Sequence, residues 1–472
     1  MKVLFVAAEL SPIVKVGGLG DVIGSLPLAL KKAGVTVQVI IPRYGFIPKE
    51  GLKLVRRDIV VSLRSSKEKI SLYQGKIPGS SIPVFFVDNP IYIGTGDAPY
   101  MDRTAFVDDM EEIKRFLFFS KAVKVLIDQK IIKADIVHAH DWHTGALVSM
   151  LRAEKPKIRT VFTIHNLGNQ GIWKTDAVDA FFLAKEDINP FEKIGDSYNL
   201  IAEGIERADW ITTVSSTYAG EILTKYYGNG LEEILQRRSG KLTGILNGID
   251  YSFFNPETDQ RIFENFSLKT AHLKSINKEA LSHAVHFKVD GAPLFGLVSR
   301  LTDQKGIDLV IRAMRMFAGK HDARFVFLGT GAKEYEDQLL ELQREQEDKV
   351  SVHIKFDETL AHRIYAASDF FLMPSRFEPC GLGQMIAMRY GSLPIVRKTG
   401  GLADTVEHMR NGFVFEKAID LSLEKAMRQA YEVYTKDKST FGFMRKQAMQ
   451  ENFDFTKSAL QYKKIYQRIL RK

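Results

Sequence analysis

The sequence predicts an α/β protein built of two tandem, doubly wound domains. Strand-like runs of Val, Ile, Leu and Phe end in Gly, Asp or His and lead into amphipathic helical segments. This alternation is typical of a parallel sheet with helices on both faces. The alternation occurs twice, and a polar stretch separates the two series. The length of 472 residues is sufficient for two separate cores.

The first series starts at the N-terminus. Met1 and Lys2 precede an apolar run, but Glu9 ends this run too early for a signal peptide, so we interpret it as a strand. Residues 52–87 alternate like an antiparallel meander, which indicates an insertion. The predicted buried strands are 2–8, 35–41, 134–139, 158–164, 210–214 and 243–246, and helical patterns cover 21–32, 108–130 and 216–225.

The second series follows the polar segment 251–292, which we interpret as the connection between the domains. We expect the helical segment 456–470 to cross back to the first domain. The predicted Rossmann-like domains are therefore residues 1–247, with the C-terminal helix 453–472 packing on them, and residues 248–452. The strands of the second series are predicted at 294–299, 324–329, 350–355, 369–373, 393–396 and 413–415.

Composition excludes several classes of protein. Apolar residues make up 45% and charged residues 26%, which is ordinary for a globular protein. No apolar run reaches the roughly 18 residues that span a bilayer. A single cysteine, Cys380, excludes an intramolecular disulfide and a cysteine-cluster metal site. The net charge of +9 has two interpretations: a surface that binds anions or nucleic acid, or lysines scattered over solvated helices. The lysines are spread evenly along the chain, which favours the second interpretation.

Two glycine-containing segments resemble each other. Lys15 to Val22 reads KVGGLGDV and Lys398 to Thr405 reads KTGGLADT, each at the start of a predicted helix. A Gly-Gly pair lets the backbone approach a ligand, and free N–H groups at a helix N-terminus suit a diphosphate. The alternative is a turn that only caps a helix. Neither copy is a P-loop, and no Gly-x-Gly-x-x-Gly follows the first strand, which argues against a nicotinamide dehydrogenase.

Charged residues follow the predicted strands of the second domain, where ligands of open α/β sheets bind. Arg300 and Lys305 come after one strand and could neutralise a diphosphate. The alternative is a surface salt bridge with Asp303. Glu378 follows another strand and could accept hydrogen bonds from sugar hydroxyls or balance a developing positive charge; alternatively it caps a helix.

The segment His138 to His143, which reads HAHDWH, invites a metal-site interpretation. Its first two histidines share one strand face, however, and the third lies beyond the turn. No His-Glu-x-x-His motif occurs. We therefore expect polar groups that project from a strand end into a cleft, with no metal. His165 follows the strand 158–164 in the same way.

The ordered motifs together resemble those of bacterial glycogen synthases and plant starch synthases over nearly the whole chain. The strongest segment is PSRFEPCGLGQ at 374–384, followed by RKTGGLAD at 397–404. The other matching segments are Lys15 to Val22, Asp135 to His143, Val161 to Leu167, Gly244 to Asp250 and Ser299 to Gly306.

The resemblance implies a retaining glucosyltransferase of GT-B architecture, with two domains that face a deep cleft. It implies transfer of glucose from ADP-glucose to the non-reducing 4-hydroxyl of an α-1,4-glucan, without metal or cofactor. Because no targeting signal is recognisable, we expect a bacterial cytoplasm, or a plastid if the chain is a mature plastid form. The family's catalytic residues fall on Lys15, His165, Arg300, Lys305 and Glu378. Its nucleotide-sugar contacts fall on Lys15, Gly17, Gly18, Asp21, Tyr100, Asp141, Asn247, Arg300, Lys305, Thr399, Gly400 and Gly401.

Four positions depart from patterns seen in relatives. Ile386 stands where wider relatives have a second glutamate, which agrees with the glycogen synthase assignment. Ala202 replaces a lysine and Asn169 an aromatic residue, both on the acceptor side, and Ala332 follows a loop glycine where an acid is frequent. A UDP-glucose donor, a small-sugar acceptor and a weakened glucan-binding paralogue remain open. A phosphorylase is disfavoured, because the chain is short and has no recognisable pyridoxal-lysine segment.

Overall fold

The computed structural model describes residues 1–64, 66–94, 110–154, 157–181 and 191–471. Tyr100 lies outside these ranges. The chain divides into two compact units, Met1–Gly248 with Phe455–Lys472, and Ile249–Asp454. Within the described ranges, no helix is both long enough and apolar enough to cross a membrane.

The first unit contains a sheet with nine strands in the described part of the chain, in the order β11-β10-β7-β6-β1-β2-β5-β4-β3, and a separate pair formed by β8 and β9. The strands are β1 (Lys2–Val6), β2 (Thr36–Pro42), β3 (Lys53–Ser62), β4 (Lys67–Lys76), β5 (Pro83–Asp88), β6 (Ile136–His140), β7 (Arg159–Ile164), β8 (Ile172–Lys174), β9 (Ser197–Asn199), β10 (Trp210–Thr213) and β11 (Leu242–Gly244).

The segment 52–87 forms one end of this main sheet as the expected antiparallel meander, and its interpretation as an insertion stays a prediction. Strands β3 and β4 form the expected antiparallel hairpin, but β5 pairs in parallel with β2 as well as antiparallel with β4. The apolar run Val84 to Val87 is buried, as expected for a strand covered on both faces.

Most helices of the first unit follow a strand along the chain, as the doubly wound pattern predicts. They are α1 (Gly18–Lys32), α2 (Met110–Asp128), α3 (Gly145–Glu154), α4 (Thr175–Phe181), α5 (Leu200–Arg207), α6 (Ser216–Glu221) and α7 (Glu232–Arg237).

The second unit is a parallel sheet of six strands in the described part of the chain, in the order β14-β13-β12-β15-β16-β17. Its strands are β12 (Leu294–Val298), β13 (Arg324–Leu328), β14 (Val350–His353), β15 (Phe370–Met373), β16 (Leu393–Arg397) and β17 (Phe413–Phe415). Its helices are α8 (Lys274–Ala284), α9 (Ile307–Ala318), α10 (Lys333–Glu345), α11 (Glu358–Ala367), α12 (Gly383–Arg389), α13 (Gly400–Thr405), α14 (Asp420–Lys436) and α15 (Lys438–Gln450).

The polar segment 251–292 belongs to the second unit, so its interpretation as an interdomain connection is wrong. Helix α8 packs into the core through Leu281, and its two lysines Lys274 and Lys278 are buried. The Lys274 ammonium donates to the carbonyl oxygens of Tyr365 at 3.0 Å and Ala366 at 2.6 Å. Buried lysines of this kind look like surface residues in a sequence, because their polar partners are distant in the chain.

The last helix, α16 (Thr456–Leu470), packs on the first unit and spans the predicted residues. Its Ser458 hydroxyl donates to the carbonyl oxygen of Leu246 at 2.5 Å, and the Lys463 ammonium donates to that of Ala33 at 2.6 Å. The side chain of Tyr466 is fully buried in the same core as Phe5.

Candidate active site

In the first unit, the candidate residues lie at the carboxyl ends of four strands of one sheet, β1, β6, β7 and β11. Ligands of α/β sheets bind at this edge. Lys15 follows β1, Asp141 follows β6, His165 follows β7 and Asn247 follows β11, where its side chain is buried.

The loop after β1 is organised by a carboxylate that the sequence analysis missed. Glu9 is 3% exposed, and its Oε2 accepts hydrogen bonds from the N–H groups of Val16 at 2.8 Å and Gly17 at 3.0 Å. A Cβ on Gly20 would lie 3.0 Å from the same oxygen, so this glycine makes room for the carboxylate. The Gly17 N–H is thus bound to Glu9 in this structure, and its contact with a nucleotide sugar stays a prediction. The signal for Glu9 was a charged residue directly after a buried apolar strand.

Lys15 and Asp21 bracket this loop. The Lys15 ammonium forms a salt bridge with Asp21 Oδ1 at 2.8 Å, and both side chains are partly exposed. Gly18 begins α1, and Gly17 is its N-cap without a capping side chain. The helix N-terminus and the ammonium together provide positive charge at this edge of the sheet.

Asp141 has a strained backbone. Its φ of 55° and ψ of −179° fall in a region that is normally reserved for glycine, at a cost of about 1–3 kcal/mol. The residue is buried, and burial raises the pKa of its carboxyl to about 7. Its Oδ1 accepts a hydrogen bond from the backbone N–H of His165 at 2.7 Å. The strain therefore serves to hold the start of the segment after β7.

Two histidines of strand β6, His138 and His140, make hydrogen bonds to different partners. His138 is fully buried, with Nδ1 2.7 Å from the hydroxyl of Tyr466 and Nε2 2.6 Å from that of Thr163. The expectation that it projects into a cleft is wrong, because it is a core residue with both nitrogens occupied. His140 Nδ1 lies 3.0 Å from His165 Nε2. Burial lowers the pKa of His165 to about 3, so its ring is neutral near pH 7.

In the second unit, three adjacent strands, β12, β15 and β16, carry the candidate residues at their carboxyl ends. The Lys305 ammonium donates to Glu378 Oε2, which also accepts from the Ser375 hydroxyl at 2.8 Å. Gly306, with a φ of 67°, lets the loop pass Pro374, since a Cβ there would lie 2.6 Å from the Pro374 carbonyl oxygen. The loops after β12 and β15 are thus fixed to each other.

Arg300 is exposed directly after β12. Among the described residues, its guanidinium has no hydrogen-bond or ion-pair partner. Asp303, the alternative partner suggested by the sequence, pairs with Arg376 at 3.2 Å. The salt-bridge interpretation of Arg300 is therefore wrong, and its charge is open to an anionic ligand.

The second glycine segment packs against the backbone of Glu378. Gly400 has a φ of 43°, and a Cβ there would lie 1.9 Å from the Glu378 carbonyl oxygen. The Gly401 N–H donates to that same oxygen at 3.1 Å, and its contact with a nucleotide sugar stays a prediction. Thr399, the N-cap of α13, is fully buried. The glycines here are needed for close packing of two loops.

In the described ranges, no three His, Cys, Asp or Glu side chains are placed to hold a metal ion. His138 cannot contribute a nitrogen, because Tyr466 and Thr163 use both.

Comparisons with known proteins show the family and the fold. Residues 2–237 match the family described as starch synthase catalytic domain, and residues 279–440 match glycosyl transferases group 1. The fold and these matches define a glycosyltransferase of GT-B architecture. The chain is 40% identical to the glycogen synthase of Pseudothermotoga lettingae, over 100% of this chain and 99% of that protein. It is 42% identical to the glycogen synthase of Exiguobacterium sibiricum, over 99% of both chains. The chain belongs to the glycogen and starch synthase family, whose enzymes transfer glucosyl units to a glucan.

Solved structures show the same fold. The catalytic domain of starch synthase IV from Arabidopsis thaliana, bound to ADP and acarbose, is 34% identical with a TM-score of 0.88, over 100% of this chain and 99% of that one. Sucrose-phosphate synthase from Thermosynechococcus elongatus, 18% identical with a TM-score of 0.63 over 100% of this chain and 99% of its own, shares the fold.

Proposed function

We propose that the protein transfers glucose from ADP-glucose to the non-reducing 4-hydroxyl of an α-1,4-glucan, with retention at the anomeric carbon. The observation that carries this proposal is the ion pair of Lys305 with the buried Glu378, together with Arg300, whose guanidinium is unpaired among the described residues. The starch synthase IV that this chain resembles was solved with ADP and acarbose, which supports an adenine nucleotide and a glucan as substrates.

The proposed reaction is a displacement at C1 of the donor glucose. The bond from C1 to the diphosphate oxygen breaks, and a bond from C1 to the acceptor oxygen forms on the same face. The proton of the acceptor hydroxyl passes to an oxygen of the departing diphosphate, so ADP and a glucan longer by one glucose result. Charge grows on the diphosphate as it leaves, and cations fixed in advance stabilise that charge most effectively.

Arg300 and Lys305 supply those cations. An ammonium has three N–H groups, and Lys305 gives one to Glu378, which leaves two for phosphate oxygens. Glu378 holds the ammonium in place with help from Ser375. In the first unit, we assign Lys15 to the phosphates and His165 to the transferred glucose.

We propose that no metal ion takes part, because two cationic side chains are available for the diphosphate. We expect glucose transfer to run at its full rate in excess EDTA. A rate that falls in EDTA and returns when Mg²⁺ is added would contradict the proposal. Action in the cytoplasm stays a prediction that cell fractionation tests.

The test is incorporation of labelled glucose into glycogen and into maltose, from ADP-glucose and from UDP-glucose, by wild type, Lys305→Ala and Glu378→Gln. Lys124→Ala is the matched control, because Lys124 is equally enclosed and paired with Asp128 at 2.8 Å. We expect incorporation into glycogen from ADP-glucose that collapses in the first two variants only. Incorporation from UDP-glucose but not from ADP-glucose would show that UDP-glucose is the donor. Glycogen binding without turnover would indicate a glucan-binding relative.

A further inference from the structure

The ring of His165 is held by a second imidazole that the proposed reaction does not use. His140 ends β6 and is fully buried, and its Nδ1 lies 3.0 Å from His165 Nε2. His165 itself is only partly buried. This contact therefore joins a core residue to a residue at the open edge of the sheet.

Both rings are neutral near pH 7. Burial lowers the pKa of His140 well below its usual value and that of His165 to about 3. A neutral imidazole carries one N–H and one bare nitrogen. A hydrogen bond between two such rings thus needs one ring to donate and the other to accept, and the choice fixes the tautomer of both.

The buried environment of His140 decides that choice. Its Nε2 is buried and has no hydrogen-bond partner in the part of the chain that the structure describes. If His140 accepted from His165, its own proton would sit on Nε2 as a buried N–H without an acceptor. Unpaired buried N–H groups are rarer than unpaired acceptors. The favoured arrangement has the proton on His140 Nδ1, donated to His165 Nε2.

The plane of the His140 ring is also fixed. It stacks on Phe5, with ring centroids 5.2 Å apart, and lies 4.2 Å from the ring of His138. His138 is bound at one nitrogen to Tyr466 and at the other to Thr163. The donor that reaches His165 therefore has little freedom to rotate away.

We propose that His140 is a positioning residue that holds His165 in the tautomer with its proton on Nδ1, so that this N–H is presented to an oxygen of the transferred sugar. This inference rests on the proposed function, because it assigns an orientation to the residue that contacts glucose. His140 acts through His165 and does not touch the sugar itself.

The direct test is the tautomer of His165, measured by nitrogen-15 NMR of protein labelled at histidine. The variant His165→Gln identifies the signals. We expect a protonated Nδ1 and a bare Nε2 in wild type. In His140→Leu the donor is gone, and we expect that preference to be lost. In His140→Asn the side-chain amide places an N–H near the former Nδ1 position and restores it.

Kinetics provide the second readout. We expect kcat for glucose transfer to fall about ten-fold or more in His140→Leu and to recover in His140→Asn, while KM for ADP-glucose changes less. His362→Leu is the control, since His362 is another buried histidine, bonded to Asp259 at 2.6 Å in the second unit. It should lower stability and leave kcat and the His165 signals unchanged.

The outcomes separate this inference from the proposed function. A proton on His165 Nε2 in wild type would overturn the inference, as would an unchanged tautomer and kcat in His140→Leu. If His362→Leu lost as much kcat as His140→Leu, the loss in His140→Leu would be explained by lower stability alone. That outcome would also overturn the inference. If wild type transfers no glucose from either donor, the proposed function fails, and the NMR signals still decide the tautomer.

Discussion

Lys305 and Glu378 form a salt bridge although 73 residues separate them in the chain. Glu378 is 5% exposed, and leaving a buried carboxylate without a partner is costly. Because the ammonium and the carboxylate depend on each other, we expect them to behave as one functional unit.

That dependence predicts non-additive substitutions. We expect Glu378→Gln and Lys305→Ala each to lower kcat roughly 10²- to 10³-fold, and the double variant to be hardly worse than either. Initial rates of glucose transfer for the four proteins form the double-mutant cycle. The Lys124 and Asp128 pair serves as the control cycle and should leave kcat unchanged. Simple multiplication of the two losses would show that the side chains act independently.

The packing of Gly400 predicts a large effect on stability. A Cβ there would meet the Glu378 carbonyl oxygen at 1.9 Å, and the φ of 43° disfavours any other residue. We expect Gly400→Ala to lower the free energy of unfolding by about 3 kcal/mol or more, as measured by urea denaturation.

Gly442 provides the matched control for that substitution. It lies inside α15, and a Cβ there would have nothing within 4 Å. Gly442→Ala should raise the free energy of unfolding by about 0.5–1 kcal/mol, because alanine favours the helix. Similar stability of the two alanine variants would contradict the packing described for Gly400.

Asp141 predicts a pH dependence of stability. Burial raises the pKa of its carboxyl from 3.8 to about 7 in the folded protein, so between these values the folded state keeps a proton that the unfolded state releases. Raising the pH through this window therefore favours unfolding, by up to about 1.4 kcal/mol per pH unit. We expect wild type to lose stability relative to Asp141→Asn from pH 4 to pH 7, with no further change above.

In the difference between wild type and Asp141→Asn, the contributions of the other titrating groups to stability cancel. Burial lowers the pKa of His143 and His165 to about 3, which favours the folded state as the pH rises from 3 to 6.5, in both proteins alike. Asparagine keeps the oxygen that accepts from the His165 N–H. Denaturation curves at several pH values provide the difference. A difference that stays constant with pH would mean that Asp141 titrates normally.

Glu9 predicts a loss of donor binding without loss of fold. Its carboxylate holds the loop that carries Lys15 by accepting from Val16 and Gly17. We expect Glu9→Ala to raise KM for ADP-glucose about ten-fold and Glu9→Gln to raise it less, because the amide oxygen can still accept both N–H groups. Wild-type KM in Glu9→Ala would show that the loop does not need this anchor.

Sequence patterns predicted the parallel strands of both units well, since strands covered on both faces appear as continuous apolar runs. They failed for α8, because its buried Lys274 and Lys278 satisfy their charge through distant partners. They also failed for the strands β8 and β9, whose sequences Ile-Trp-Lys and Ser-Tyr-Asn contain no continuous apolar run.

At the candidate site, motifs identified which residues gather at each sheet edge but not how they are held. The φ of Asp141 and the tautomer of His165 depend on three-dimensional neighbours, so no residue spacing reveals them. The glycine pair 400–401 was assigned to ligand binding, and its packing on Glu378 became visible only once the two loops were placed together.

The position of α16 has a consequence for biosynthesis. Residues 456–470 are translated after the whole second unit, yet they complete the core that begins with β1. The second unit, Ile249–Asp454, is therefore translated in full while the first still lacks a wall of its core. The nascent chain must keep that apolar surface from aggregating until residues 456–470 have been synthesised, so a premature stop just before them would damage the unit that was translated earlier.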